Sequence, residues 1–311
     1  MHFTQFYASP IYLNPAFTGA NVCARASMTY RNQWPEITKT YRSFLFSLDH
    51  DLQIHNLGIG GIIGRDVAGS ANLSTTIFYP SVSHMIKLTP ELMVRFGLQV
   101  GMMHRNVDFK SFLFGDQLVR GGNVATIEDP TKPRTFVDIN TGSVIYSSMF
   151  WLGVSFSHLT TPNQALFENG NSELPLKYSV HGGTKFELDV EEIDDGYTRS
   201  ISPAFNYRGQ KDFDQLDIGL YYAQQMLIAG LWYRGIPVFK SYQDGYANND
   251  ALALLIGIQT KRYSVGYSFD ITISRLTTLT SGAHEISLSH QFCVLRKKKK
   301  KYQMVMPCPK F

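Results

Sequence analysis

Residues able to do chemistry are scarce here, and their spacing disarms most of them. Nine histidines form no HxH or HxxxH pair, the separations that turn two imidazoles toward one metal. Ser287 and His290 sit three positions apart. On a strand they face opposite sides, so they cannot make the hydroxyl–imidazole couple of a hydrolase. Five carboxylates crowd one stretch (Asp189, Glu191, Glu192, Asp194 and Asp195). Their spacing does not fit an EF-hand calcium loop, and they read as a solvated turn. No glycine-rich phosphate loop joins a strand to a helix. The residues therefore predict no catalytic group, no cofactor site and no metal site.

Two features are better suited to partners. The run Arg296-Lys297-Lys298-Lys299-Lys300-Lys301 follows the last apolar segment. Nucleic acid is one reading of such a run, set aside because no aromatic groove accompanies it. It reads instead as a solvated spacer touching anionic lipid headgroups, at about 1 kcal/mol per charge, or as a docking segment. Its recognition end would then be Pro307-Cys308-Pro309-Lys310-Phe311, where two prolines pre-order an extended chain and Phe311 offers an apolar anchor. Three cysteines are too few for a disulfide framework. Cys23–Cys293 and Cys293–Cys308 bridges are both open, with free buried thiols as the alternative.

The elements that position these residues follow from composition and periodicity. The chain has 311 residues, a net charge of +4, 44% hydrophobic and 17% charged residues. An average soluble domain carries about 25% charged residues. Mean hydropathy is −0.13, and no apolar run approaches the ~18 residues of a transmembrane helix. A β-barrel escapes that test, because its strands alternate. The opening Met1-His2-Phe3-Thr4-Gln5 has neither the basic nor the apolar region of a signal peptide. The numbering is therefore expected to begin near a mature N-terminus.

Alternation is indeed the dominant pattern. Tyr263, Val265, Tyr267, Phe269 and Ile271 interleave with Ser264, Gly266, Ser268 and Asp270. Leu92 to Met102, Leu152 to Phe156, Leu176 to Val180 and Ile286 to Phe292 repeat the scheme. About fourteen such segments occur, most long enough to cross a bilayer when tilted, where ~9–11 residues suffice. Connections after odd segments are mostly long and those after even segments mostly short, as in outer-membrane barrels. A soluble sandwich is the rival reading. Its core does not call for Tyr-rich apolar faces, nor for Gly, Ser and charges on the opposite ones. With the apolar face outward, Arg25, Arg95, Lys177 and Lys185 fall in the lumen, expected to be wet. One residue of slip would push them into lipid, at roughly 2–4 kcal/mol each near the midplane.

The prediction is an all-β, closed antiparallel transmembrane β-barrel of about fourteen strands, in three parts. Residues 1–21 form a periplasmic or lumen-plugging segment, 22–293 the barrel and 294–311 a basic periplasmic tail. Both termini are placed in the periplasm. Outer segments near 107–133, 159–174 and 235–249 face the exterior, where loops carry recognition more often than strands do.

An ordered series of motifs then resembles one family. Gln5-Phe6-Tyr7 and Leu13-Asn14-Pro15-Ala16-Phe17-Thr18-Gly19 open it, and Tyr30-Arg31-Asn32-Gln33-Trp34-Pro35 and Arg65-Asp66-Val67-Ala68-Gly69 follow. Next come Arg95 to Gly101, Phe114-Gly115-Asp116-Gln117-Leu118, His158 to Asn163 and Leu174 to Gly183, before the closing Pro307 to Phe311. The series resembles the PorP/SprF outer-membrane proteins of type IX secretion and gliding. The resemblance implies a non-enzymatic component that binds and helps export or anchor a surface adhesin bearing a type-B C-terminal secretion domain. It also implies contacts with periplasmic secretion and gliding components and with outer-membrane lipid. The residues it nominates for partners are Phe6, Tyr7, Asn14, Pro15, Asp116, Gln117, Lys297, Lys298, Pro307, Cys308, Pro309 and Phe311. The alternative function is an outer-membrane transporter for hydrophobic small molecules.

Overall fold

The computed structural model describes residues 1–21, 23–37, 41–52, 55–122, 124–127, 131–167, 170–188, 199–236, 248–273, 281–292 and 307. Wherever apolar residues recur at every second position, the pleat gathers them on one face, and a strand is present. Among the described residues there are fourteen. They are β1 (Ala24–Gln33), β2 (Tyr41–Asp51), β3 (Leu57–Ala68), β4 (Leu73–Lys87), β5 (Met93–Asn106), β6 (Arg134–Tyr146) and β7 (Phe150–Ser157). β8 (Lys177–Thr184) resumes briefly at Phe186–Glu187. Then come β9 (Ser200–Gln210), β10 (Phe213–Gln224), β11 (Leu227–Gly235), β12 (Asn249–Gln259), β13 (Tyr263–Thr272) and β14 (Ala283–Phe292).

Each strand pairs antiparallel with its neighbours in sequence. β14 returns to β1, from Ala24↔Phe292 to Gln33↔Ala283, and the sheet closes. Closure is what a bilayer demands, since an open edge there has no water to bond its N–H and C=O groups. Outward positions are apolar and exposed, such as Phe44, Phe46 and Leu48 on β2 and Leu254, Ile256 and Ile258 on β12. Inward positions between them are buried and small or polar, such as Ser47, Asp49, Ser264, Ser268 and Asp270. The register is the one expected from alternation.

Loop lengths segregate as expected. One end carries the connections 107–133 and 158–176, the other the short turns 147–149, 225–226 and 260–262. The carboxylate-rich stretch from Asp189 to Asp195 lies outside the described residues, as do Cys293, Lys297, Lys298, Cys308, Pro309 and Phe311.

The lumen departs from expectation. Most of it is packed with protein rather than wet, and a chamber remains at the long-loop end. Residues 3–11 and 14–19 are buried inside the barrel, folded into a short helix α1 (Pro10–Leu13) and a 3-10 turn at Pro15–Phe17. Two of the four inward cations read as solvated, Arg25 and Arg95, are packed as well, while Lys177 and Lys185 are only half-buried. Arg25 donates through Nε to Asp49 at 3.0 Å, and Arg95 donates through Nη1 to the Thr18 carbonyl at 2.8 Å and the Ser83 hydroxyl at 3.0 Å. The small inward residues leave room for a chain segment instead of water. A Cβ on Gly97 would lie 2.2 Å from Ala16 N, and one on Gly142 would lie 2.2 Å from Asn14 Oδ1. Glycine at these two positions is what lets the wall close on the Asn14–Ala16 turn.

The segment also runs further than the sequence suggests. Gly19 N–H donates to Asp49 Oδ2 at 2.8 Å, near the short-turn end. Thr4 hydroxyl donates to Asp270 at 2.7 Å, near the long-loop end of β13. Its first residues thus lie in the long-loop half of the lumen, not at the short-turn rim. That course follows from two anchors at opposite ends of the lumen.

Candidate functional site

The inward faces of six strands bring together three guanidinium groups and three carboxylates. Arg31 on β1 contacts Asp270 at 2.8 Å and Glu285 at 3.2 Å. Arg234 on β11 contacts Asp217 at 2.9 Å and Asp270 at 3.1 Å. Arg208 on β9 contacts Asp217 at 2.6 Å. Glu285 is fully buried, and Asp217 and Asp270 are each 2% exposed. Charges this deep must be paired and hydrogen-bonded, since an unpaired one carries a large desolvation penalty.

The N-terminal segment completes the pairing. Backbone N–H groups of Thr4 and Gln5 each donate to Glu285 at 2.8 Å. Thr4 Oγ1 accepts from Arg31 at 2.7 Å and from Arg234 at 2.9 Å. The Gln5 amide donates to Ser268 and to the Glu285 carbonyl, while its oxygen accepts from Ser287 at 2.6 Å. Gln5 is thus held on every side by wall residues. Its place in the opening motif has a structural cause.

Phe6 and Tyr7 enter an aromatic cluster. The Phe6 ring lies edge-on to Trp232 at 4.8 Å and Tyr7 edge-on to Trp151 at 5.7 Å. Trp151 Nε1 donates to the Tyr7 hydroxyl at 3.0 Å, satisfying a buried indole N–H. Asn14 Nδ2 faces the carbonyls of Ser143 and Val154 at 3.1 and 3.0 Å and His181 Nε2 at 3.1 Å. Its Oδ1 accepts from Ala16 N–H at 2.9 Å, capping the turn at Pro15. Phe6, Tyr7, Asn14 and Pro15, nominated for partners, are thus brought together inside the barrel and buried there. Burying an aromatic ring such as Phe6 contributes about 1.5–3 kcal/mol.

Asp116 and Gln117 lie far from that cluster, on helix α2 (Gly115–Val119) in the outer connection. Asp116 accepts from Arg120, from the Thr126 hydroxyl at 2.9 Å and from Ile127 N–H at 3.0 Å. Gln117 accepts from Phe114 N–H at 3.0 Å and donates to the Val124 carbonyl at 2.8 Å. Both side chains turn into their own loop. The loop in turn holds Leu113, Leu118, Val119 and Ile127 toward solvent, with Val119 89% and Ile127 77% exposed.

Desolvation alone would raise the Asp116 carboxyl. The donors at Ile127, Thr126 and Arg120 outweigh it and hold the group below the usual carboxylate range. A depressed folded pKa gives a contribution present above the unfolded value of ~3.9 and lost as pH falls through the folded value. The loop is therefore expected to stay ordered from neutral pH to about pH 5. Asp116→Asn is expected to make segment 107–127 several-fold more sensitive to limited proteolysis, with the barrel intact on unheated gels. Unchanged cleavage would show that Asp116 does not organise the loop.

Pro307 is half-buried. Cys23 is disulfide-bonded, and its partner lies outside the described residues. The three buried carboxylates and their guanidinium partners escaped the sequence reading. Their signal was present: charged residues at inward positions of alternating strands, Asp270 between Phe269 and Ile271 being the plainest.

A closed antiparallel barrel with an apolar outer belt and an ionic interior defines an outer-membrane protein. Residues 1–290 match the family described as "Type IX secretion system membrane protein PorP/SprF", and the chain belongs to that family. The match stops short of the basic tail. No curated protein matches the chain. Among solved structures, the P. putida toluene transporter TodX is similar at 10% identity, over 90% of this chain and 92% of that one, with a TM-score of 0.50. The Ralstonia pickettii toluene transporter TbuX is similar at 11% identity, over 92% and 94%, with a TM-score of 0.51. At such identity the likeness is one of fold.

Proposed function

We propose that this chain is a non-enzymatic partner in type IX secretion that binds a surface adhesin carrying a type-B C-terminal secretion domain and helps export or anchor it. The adhesin is held by the outer loops and the lumen rim. Periplasmic secretion and gliding components are addressed from the short-turn side, through Lys297, Lys298, Pro307, Cys308, Pro309 and Phe311. The observation that carries this reading is the occupied lumen. Residues 3–11 and 14–19 fill it and bond to the wall, which leaves no path for a polypeptide and leaves recognition to the two rims. The ordered outer loop, with Val119 and Ile127 turned to solvent, suits a protein surface.

A pull-down of the detergent-solubilised protein tests this reading. The expected result is co-purification of a large secreted protein bound through its C-terminal domain. A second reading, transport of hydrophobic small molecules, draws on the fold shared with TodX and TbuX. Uptake of a labelled fatty acid with no such protein bound would favour it. Removal of residues 296–311 is expected to leave the barrel folded while impairing export or anchoring. Full surface display of the adhesin by the truncated chain would eliminate the role given to the tail.

A further inference from the structure

Above the buried segment, at the long-loop end, the lumen keeps a chamber of about 230 Å³. That is room for roughly seven waters at ~30 Å³ each, the scale of a small ligand and not of a folded chain. One part of its lining is apolar, with Ile77, Met103, Phe136 and Leu174. Lys177 and Arg105 supply charge, and among the described residues neither has a carboxylate partner. Lys177 stands over the Tyr12 ring, its Nζ 5.6 Å from the centroid. Arg105 donates to Gln164, and its Nε is buried without a partner among the described residues. The carboxylate on the lining, Asp66, already accepts from Ser43. His158 faces Asp138 at 2.7 Å, outside this balance.

Elsewhere in the lumen the cations are held by carboxylates or, for Arg95, by the Thr18 carbonyl and the Ser83 hydroxyl. Arg25 has Asp49. Arg31, Arg208 and Arg234 share three carboxylates. The chamber is where two cations without a carboxylate face open volume, beside an apolar wall. We propose that it binds a small organic monocarboxylate with an aromatic or short aliphatic body. The acid group is taken by Lys177, with Arg105 as second cation, and the body rests on Met103, Phe136 and Leu174. Charge-assisted hydrogen bonds are the stronger kind, and a partly enclosed site strengthens them. This inference concerns a ligand at the outer mouth and stands apart from adhesin binding, so a failed pull-down leaves it untouched.

Benzoate and benzamide are the probes, titrated calorimetrically into the full chain in detergent at neutral pH. Benzoate is expected to saturate at one per chain, and the neutral isostere benzamide to bind at least tenfold more weakly. Lys177→Gln is expected to weaken benzoate about tenfold or more, Arg105→Gln to weaken it as well, and Lys177→Arg to retain binding. Unheated gel mobility reports whether each variant is folded, and the comparison of the two probes on the unaltered chain needs no variant. Absence of saturable benzoate binding, equal affinity for benzamide, or an unchanged affinity in folded Lys177→Gln would each overturn the site.

Discussion

Replacing Arg234 by Met is expected to destabilise the folded barrel by about 3–5 kcal/mol, the range for breaking one side of a buried ion pair. Asp217 and Asp270 lie 2.9 and 3.1 Å from that guanidinium and are almost fully buried. The substitution leaves three carboxylates facing two guanidinium groups. Each aspartate keeps one other cation, Arg208 or Arg31, but the cluster as a whole carries an unmatched charge. Pairing explains more than the hydrogen-bond count does, and the double variant Asp270→Leu/Arg234→Met separates the two, because Arg31 keeps Glu285 and Arg208 keeps Asp217. It restores neutrality, so it is expected to recover at least half of the loss, as apolar replacements of whole buried pairs often do. The measurement is the urea midpoint of the heat-modifiable gel shift. If the double variant is as unstable as the sum of its single substitutions, charge balance is not what holds this region together.

That cluster marks where legibility in the sequence ends. The outward faces were readable because lipid imposes one chemistry on every second residue, and Tyr263 to Ile271 states it within nine positions. The strand number and the segregation of loops followed from the same periodicity. The pairing of inward charges did not. Arg31 meets Glu285 across 254 positions of chain, a contact that exists only once the barrel has closed, and no local pattern encodes it. Without that contact an inward Arg or Asp reads as solvated, and the lumen as wet. The N-terminal segment was opaque for a second reason. It has no period, since its residues meet the wall at irregular and overlapping sets of strands: Gln5 meets β13 and β14, Tyr7 meets β7, Asn14 meets β6, β7 and β8. Its glycine partners, Gly97 and Gly142, resembled the generic small residues of a lumen face. Asp116 and Gln117 stood out as a motif, but a motif does not say whether its side chains face a partner or their own loop.

Deleting residues 1–20 is expected to turn a closed barrel into an ion-conducting one. Eight strands leave an interior that side chains alone can fill, while sixteen to eighteen leave an aqueous channel. Fourteen strands fall between, and here the gap is occupied by Phe3, Phe6, Tyr7, Ile11 and Phe17, all buried. With them gone, the small inward residues Gly97, Gly142, Ser155 and Ser179 line open space. Water then reaches Arg31, Arg234, Asp270 and Glu285, which lose the Thr4 and Gln5 bonds but gain solvation. The barrel wall keeps every strand pairing, so folding in detergent is expected to survive with reduced stability. Single-channel recording in planar bilayers is the measurement: silence from the full chain and steady conductance from the deletion. Equal conductance in both would mean that the buried segment does not seal the lumen. A full-length Tyr7→Ala/Asn14→Ala variant guards against a deletion that fails to fold. It loses the Trp151 bond and the contacts to Ser143 and Val154, so it is expected to show intermittent openings where the unaltered chain shows none.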